Sequence, residues 1–379
     1  MDFEWDEETR AVRAHVMDVA RRMFRRDRRE VRELRATMRE LGALGVLGMP
    51  IPEAHGGNGA GIVAAVAALE ALGEAGIDGG TAFSLGAQVW AVQMPILAFG
   101  SDAQKDAILR RLCSGELVGA IALSEPGAGS DLFSMRTRAE ERDGRVVIHG
   151  RKAWITNAPI ADVFIVLATV GEAGGAFVRT AAFLVERDTP GLIVEARTPK
   201  LGLDESPMAE VVLDGCEVPK SAILGRWGRG AEIFEHALTY ERGALAAPFV
   251  GAMKRQLDAC VEHANERKQF GGPIGAFQAV SHRIADMKLR LETARLLLHR
   301  FARTMASGAD ATLDAALVKL HVSESYVQSS LDAIQLHGAA GYATELGVHA
   351  DLRDAIGLRI ASGTNEIQRS AIARSLGVG

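Results

Sequence analysis

The chain has 379 residues, 48% of them apolar, which is enough for two or three domains with substantial cores. Its formal net charge of −5 lacks the basic excess typical of nucleic-acid-binding proteins, and it carries no lysine-rich tail suited to an anionic membrane. Three scattered cysteines are too few for a disulfide framework or a zinc site, and they favour reduced thiols in a cytoplasmic protein.

The first part of the chain, residues 1–119, is predicted to be a helical domain. Its acidic start has no signal-peptide apolar stretch, and no run reaches the length that spans a bilayer, so we expect no membrane segment. Apolar residues recur at helical spacing near Val12 and Leu34, and nearly all-apolar runs at 61–72 and 81–99 predict buried helices. Ser101 is a capping residue that predicts the start of a further helix.

In the middle part, residues 120–228, the apolar pattern changes to a period of two. Segments at 145–150, 163–168, 180–185 and 210–213 have the composition of strands. Glycines and prolines separate them, and no helical segment lies between them. This order predicts an antiparallel β domain or barrel.

The last part, residues 229–379, is predicted to be helical again. Long segments at 231–268, 277–306 and 311–337 and a shorter one at 365–375 suggest a helical bundle. Pro248 cannot donate to the carbonyl of Ala244, so we expect a kink about one turn beyond Glu241. The predicted fold class is therefore mostly α with a central β domain.

A glycine-rich loop follows the first helical domain, with the sequence SEPGAGS at residues 124–130. Such a loop exposes backbone N–H groups and hydroxyls to a polar ring or a phosphate, although an ordinary tight turn uses the same residues. Trp154 and Thr156 stand at a strand end, where a tryptophan usually packs in a core. Beside the loop, the pair would instead form one wall of a cofactor site.

Glu241 and Arg242 lie in the middle of a predicted helix. A glutamate there is usually a solvated surface charge. Leu238, Ala244 and Leu245 indicate a largely buried segment, in which the pKa of an unpaired carboxyl rises. A carboxylate with a raised pKa suits the removal of a weakly acidic C–H proton.

Three segments together resemble the signatures of the acyl-CoA dehydrogenase family: ALSEPGAGSD at 122–131, QLHGAAGY at 335–342 and RIASGTNEIQR at 359–369. The resemblance covers the whole chain and implies a helical N-terminal domain, a middle β domain and a C-terminal four-helix bundle. Most members carry the catalytic glutamate where this chain has Ser362, and serine cannot remove a proton from carbon. A minority, including isovaleryl and long-chain members, have the base in a Glu-Arg pair on a distant helix, which Glu241 matches.

The resemblance also implies FAD as the cofactor, with part of each site supplied by a neighbouring subunit of a homotetramer. One family glycine is replaced by Ala339, which tightens a close backbone approach beside Gly338. The implied FAD-binding positions are Leu123, Ser124, Gly129, Ser130, Trp154, Thr156, Arg267, Gln269, Phe270, Gln278, Gln335, Gly338, Thr364 and Glu366.

The implied reaction is oxidation of an acyl thioester, with the α proton removed by Glu241 and the β hydrogen passed as hydride to flavin N5. The implied substrate-binding positions are the backbone N–H of Ser362, Gly363, Arg242 and Thr239. Thr239 stands where many CoA-using members have an aspartate that helps hold the pantetheine arm.

Two runs, at 157–162 and 278–292, are similar to the prolyl-carrier-protein dehydrogenases of natural-product pathways. They favour a prolyl or related acyl group on a carrier protein's phosphopantetheine, although generic family packing would also account for them. The alternatives are a free short or branched acyl-CoA and a flavin oxidase or monooxygenase. A non-catalytic assembly protein is a further alternative. The electron acceptor would be an electron-transfer flavoprotein or oxygen.

Overall fold

The computed structural model describes residues 5–24, 33–171 and 179–378, so the outermost residues of the predicted terminal domains, 1–4 and 379, lie outside the described part. The chain begins with helices, continues through one large sheet and returns to helices. The helices before the sheet are α1 Glu7–Met23, α2 Leu34–Ala43, α3 Gly61–Ala75, α4 Gly79–Gly86, α5 Met94–Phe99 and α6 Asp102–Cys113.

A π-helical segment, Ala87–Gln93, joins α4 to α5 without a break. The resulting run, Gly79–Phe99, is 21 residues long and apolar enough to cross a membrane, so the prediction that no run reaches that length was wrong. However, 83% of its most apolar window is buried inside the protein. The run is therefore placed as a core helix, and Trp90 at its centre is fully buried.

Ser101 caps α6, as its sequence context predicts. Its hydroxyl accepts from the Gln104 N–H at 3.3 Å, and the Gln104 side chain accepts in return from the Ser101 N–H at 2.9 Å. This reciprocal arrangement satisfies two N–H groups that the first helical turn would otherwise leave unpaired. The C-terminal residue of α6, Cys113, is buried in the core.

In the described part of the chain, the central sheet has eight strands in the order β6-β7-β3-β2-β4-β5-β8, with β1 added beside β4. Most pairs are antiparallel, as predicted, but β1 and β2 each run parallel to β4. The short strands β1, β2, β6 and β8 were not predicted, because they are too short to show a clear alternation of apolar and polar residues. The strands are β1 Gly119–Ala122, β2 Arg138–Arg142, β3 Arg145–Thr156, β4 Val163–Val170, β5 Thr180–Glu186, β6 Leu192–Val194, β7 Met208–Pro219 and β8 Ile223–Leu224.

Helices resume directly after the sheet. The predicted helix at 231–268 is divided at Leu245 and Ala246, where Pro248 occupies the first turn of the second piece, a position that tolerates its missing N–H. The elements are α7 Gly230–Ala244, α8 Ala247–Glu266, the hairpin β9 Lys268–Gln269 and β10 Gly272–Pro273, α9 Gln278–Ala306, α10 Thr312–His337, α11 Ala339–Tyr342, α12 Val348–Ile360 and α13 Asn365–Ser375.

Two glycines fix α7 between the sheet and the bundle. A Cβ on Gly230 would lie 2.7 Å from the Leu167 side chain and 2.9 Å from the Ala181 backbone, so only glycine lets the helix start against β4 and β5. A Cβ on Gly243 would lie 2.2 Å from the Phe301 ring of α9. These close approaches hold both ends of the helix that carries Glu241.

Candidate active site

A small cavity lies where α7, α10 and the loop between α12 and α13 meet. Its volume is about 20 Å³, which is room for about one water molecule, so a substrate must enter through its open side. Apolar walls come from Leu245, Phe249 and Leu358. The polar residues that line it are Glu241, Arg242, Lys319, Ser323 and Ser362.

The Glu241 carboxyl is the titratable group best suited to proton transfer in this cavity. Although part of the residue remains in contact with solvent, the surrounding protein removes most water from its carboxyl. Burial therefore raises the pKa of Glu241 to about 7, while the nearby Ser362 hydroxyl and Arg242 charge oppose the rise. A base with this pKa is half ionised near neutral pH, which suits general-base catalysis.

The loop opposite Glu241 has a strained backbone. Ser362 adopts a φ of +55°, which is uncommon for a residue other than glycine, and Gly363 follows with a φ of +84°. Arg242 Nε donates to the Ser362 carbonyl at 3.1 Å and holds the loop against α7. The Ser362 hydroxyl is near enough to Glu241 to lower its pKa, but it makes no geometrically sound hydrogen bond among the described residues. Strain at such a position is typical of functional loops.

Thr239, predicted to bind substrate, is not brought to this cavity. Its hydroxyl donates to the Glu235 carbonyl on its own helix at 2.9 Å, and it does not line the cavity walls. It lies two positions before Glu241 on α7, with only Tyr240 between them, which places the two side chains on different faces of the helix. Arg242, predicted as a substrate ligand, lines the cavity and also donates to the Ser362 loop.

Lys319 is a cavity residue that sequence reasoning missed. Its buried ammonium donates to the Arg359 carbonyl at 3.0 Å and to Asn365 Oδ1 at 2.6 Å, and these two residues flank the Ser362 loop. Ser323 donates to the same Asn365 oxygen at 3.0 Å. Burial, together with the nearby Arg242 charge, lowers the pKa of Lys319 to about 7. The available signal was a lone lysine within an apolar stretch of α10.

Lys319→Met should loosen the Ser362 loop while leaving the global fold intact. The substitution removes the Lys319 donor to the Arg359 carbonyl, whereas Asn365 Oδ1 still accepts from Ser323, and an unsatisfied buried acceptor costs about 1–3 kcal/mol. We expect a loss of about tenfold in the rate of flavin reduction, measured by anaerobic stopped-flow absorbance. Lys288→Met, at an exposed lysine on α9, is the matched control. An unchanged rate in Lys319→Met would mean that the loop holds its geometry without this lysine.

A buried ion pair between Lys152 and Glu125 stabilises the glycine-rich loop. Lys152 is fully buried, and its ammonium donates to the Leu123 carbonyl at 2.9 Å and to Glu125 Oε1 at 3.1 Å. The Glu125 carboxylate also accepts from the backbone N–H groups of Arg136 at 2.7 Å and Thr137 at 2.9 Å. Burial lowers the pKa of Lys152 to about 8, opposed by Glu125.

The same loop meets the end of β3, which brings its predicted cofactor residues together. The Ala153 N–H donates to the Ser124 carbonyl at 2.9 Å, and Trp154 follows with a φ of +63° and 59% of its surface exposed. Thr156 lies two residues further along the strand. Gly129 and Ser130 are exposed, and no atom of the described residues lies within 4 Å of a Cβ built on Gly129.

This arrangement fits FAD. An exposed tryptophan held in a strained conformation offers a flat apolar face, and the open glycine loop offers N–H groups and a hydroxyl to ring edges and phosphate. Sequence reasoning identified these residues but not the Lys152–Glu125 pair beneath them. That pair depends on the pairing of distant segments.

The remaining predicted cofactor residues form separate exposed groups. Phe270 is 95% exposed with a φ of +50° and makes an edge-to-face contact with Phe277. His263 stacks on His337 at 4.5 Å, which places the ends of α8 and α10 side by side. At the start of α13, Thr364 is the capping residue. The exposed positions in these groups are Arg267, Gln269, Phe270, Gln278, Gln335, Gly338 and Glu366.

Comparison with known families covers almost the whole chain. The acyl-CoA dehydrogenase N-terminal domain matches residues 6–116, the middle domain residues 120–216 and the C-terminal domain residues 228–377. An L-prolyl-[peptidyl-carrier protein] dehydrogenase from Serratia sp. is 44% identical over 87% of this chain and 85% of its own length. A protein of the same name from Pseudomonas fluorescens is 42% identical over 86% of each chain.

Solved structures are also similar to this chain over almost its whole length. The prolyl acyl carrier protein oxidase AnaB is 38% identical, with a TM-score of 0.95 over 99% of this chain and 100% of its own. The FAD complex of PigA is 39% identical, with a TM-score of 0.96 over 100% of both chains. The similarity therefore extends across all three parts of the fold.

Proposed function

This chain belongs to the acyl-CoA dehydrogenase family, and we propose that it is an FAD-dependent dehydrogenase of a prolyl or related aminoacyl thioester tethered to a carrier protein. Two relatives that match over at least 85% of both chains are prolyl-carrier-protein dehydrogenases by name. The observation that carries the proposal is the Glu241 carboxyl, with a pKa of about 7, facing the Ser362 loop across the cavity. No acid stands at Ser362 to compete for the role of base.

Glu241 removes the α proton of the thioester. The Ser362 backbone N–H stabilises the negative charge that develops on the thioester carbonyl, and Arg242 holds that loop in place. Once bound, FAD supplies the acceptor for the β hydrogen and its two electrons. After the reaction Glu241 holds the α proton, and its raised pKa favours that protonated state in a cavity with little water.

We assign the FAD contacts to two chains of a homotetramer. Leu123, Ser124, Ser130, Trp154 and Thr156 would hold the flavin and pyrophosphate within one chain. The exposed groups around Phe270 and Gln335, which do not line the Glu241 cavity, would contact the FAD of a neighbouring subunit. The tetramer is tested by light scattering of the FAD-loaded protein. Three buried cysteines without disulfides support a cytoplasmic location.

Flavin reduction should increase with pH through about pH 7. The base acts only when Glu241 is ionised, and burial holds its pKa near 7 rather than at its ordinary value. We therefore expect the rate to fall about tenfold for each pH unit below 6 and to reach a plateau above pH 8. Single-turnover flavin bleaching between pH 5 and 9 measures this profile. A rate that stays constant down to pH 5 would contradict the assignment.

The substrate is tested by anaerobic flavin bleaching with matched thioesters. Prolyl-carrier protein should reduce the flavin within seconds, whereas isovaleryl-CoA should react at least tenfold more slowly. Faster bleaching by the branched acyl-CoA would favour an acyl-CoA dehydrogenase. A second comparison, of reoxidation by air and by an electron-transfer flavoprotein, identifies the acceptor. AnaB is an oxidase by name, which favours testing oxygen first.

A further inference from the structure

The side-chain hydroxyl of Ser362 is a polar group of the Glu241 cavity that the proposed reaction does not use. Its Oγ is buried and has no hydrogen-bond partner among the described residues. The reaction uses only the backbone of this residue, whose carbonyl accepts from Arg242 Nε at 3.1 Å. A buried hydroxyl without a partner costs free energy. A substrate atom bound in the cavity would supply the missing partner.

The other polar side chains deep in this cavity already have partners. The Lys319 ammonium donates to Asn365 Oδ1 at 2.6 Å, and the Ser323 hydroxyl donates to the same oxygen at 3.0 Å. Of the two hydroxyl groups that line the cavity, only that of Ser362 lacks a partner among the described residues. It also lies close enough to the Glu241 carboxyl to lower the pKa of that group. The free hydroxyl therefore stands directly beside the base.

The backbone of the Ser362 loop does not itself need a serine. Ser362 has a φ of +55°, a conformation that glycine adopts without the steric cost of a Cβ. A glycine would present the same backbone N–H to the thioester carbonyl with less strain. What the serine adds to the cavity is its hydroxyl. Strained side-chain-bearing residues of this kind are concentrated at functional sites.

We propose that the Ser362 hydroxyl binds the α-nitrogen of the substrate and so selects an aminoacyl thioester over a plain acyl thioester. The inference rests on the proposed function, because it takes the α carbon to lie at Glu241. In a prolyl group one carbon carries both the proton that Glu241 removes and the ring nitrogen, so the nitrogen must lie beside the base. The hydroxyl there accepts the ring N–H whether or not the amine is charged. A carboxylate in its place would oppose the ionisation of Glu241.

The test compares Ser362→Ala with the parent enzyme, both loaded with FAD, on prolyl and cyclopentanecarbonyl thioesters of one carrier protein. Both acyl groups are five-membered rings, and a CH₂ replaces the N–H in the second. We expect the ratio of kcat/KM for prolyl to that for cyclopentanecarbonyl to fall about three- to tenfold, the usual effect of one net hydrogen bond. Any change in the loop or in Glu241 affects both thioesters and cancels from this ratio.

Two further variants make the comparison specific to the hydroxyl. Ser362→Gly also removes it but suits the positive φ, so it should lower the ratio as much as Ser362→Ala does. Ser323→Ala is the matched control, since it removes a hydroxyl of the same cavity that already has a partner. It should keep the ratio of the parent enzyme.

Each other result overturns the inference. Equal losses on both thioesters would mean that the hydroxyl acts through the loop or through Glu241, and an equal fall in Ser323→Ala would mean that the ratio reports general repacking of the cavity. Calorimetric binding of pantetheine analogues, in which an amide replaces the thioester, adds a readout that needs no reaction. If no thioester reduces the flavin, the proposed function fails, while tighter binding of the prolyl than of the cyclopentanecarbonyl amide, lost in Ser362→Ala, still supports the nitrogen site. The absence of that preference in the parent enzyme would contradict the site itself.

Discussion

Glu241→Gln should lower the rate of substrate-dependent flavin reduction by about 10²- to 10⁴-fold, the usual contribution of a general base. The amide keeps the size of the side chain but cannot accept the α proton, so the bound thioester retains its C–H bond. Anaerobic stopped-flow absorbance of the FAD-loaded variant with prolyl-carrier protein measures the effect. Because the lost step follows binding, the KM should change far less than the kcat.

The same substitution should raise stability at alkaline pH. The pKa of Glu241 in the folded protein, about 7, is above its ordinary value, so burial costs folding free energy once the carboxyl ionises. This cost is absent below about pH 4.5, grows as the pH rises to about 7, and is then roughly 3 kcal/mol, at about 1.4 kcal/mol for each unit of the pKa shift. Urea unfolding should therefore show Glu241→Gln more stable than the parent at pH 8 and similar at pH 4.5.

Glu235→Gln is the matched control, since this glutamate lies exposed on the same helix. It should leave both flavin reduction and the pH dependence of unfolding unchanged. Retention of more than a tenth of the parent rate by Glu241→Gln would remove the carboxyl from the role of base. A stability gain without a loss of rate would indicate a buried carboxyl that takes no part in the reaction.

Features that depend on neighbouring residues were largely predictable from the sequence. The helix at 365–375 was predicted with the bounds that the structure gives, because Thr364 is a capping residue and the helix is short. The capping box at Ser101 and the division of the long helix near Pro248 follow equally local rules. Helix α12, in contrast, was missed. Its buried acids Asp351 and Asp354 interrupt the apolar pattern, and their partners lie far away in sequence.

The candidate site likewise contains residues that local sequence patterns predict and one residue that they do not. Glu241 and the Ser362 loop were recognisable because Glu-Arg and Gly-Thr-Asn are local patterns. Lys319 was not, because its partners, Arg359 and Asn365, lie about forty residues away on other elements. A lysine in a helix is a solvated charge on average, and only the fold decides that this one is buried. Parallel pairing of β1 and β2 with β4 was missed for a related reason, since strand patterns do not give strand direction.

Lys152→Met should weaken FAD binding by at least tenfold and lower the thermal unfolding midpoint. The substitution leaves Glu125 as a buried carboxylate without its cation and removes the donor to the Leu123 carbonyl, and breaking a buried ion pair costs about 3–5 kcal/mol. Both acceptors belong to the loop that would hold the flavin. Fluorescence titration of the apoprotein with FAD and calorimetric unfolding measure the two effects.

The Lys152→Met/Glu125→Gln double variant separates loss of the pair from an uncompensated charge. A neutral amide keeps hydrogen bonds to the Arg136 or Thr137 N–H without needing a cation, so the double variant should recover much of the stability lost in the single variant. Lys220→Met breaks an exposed pair with Glu141 and should cost less than about 1 kcal/mol. If Lys152→Met lost stability but kept its FAD affinity, the pair would support the sheet alone. If Lys152→Met lost both stability and FAD affinity, Lys152 would be required for the loop conformation that holds the flavin.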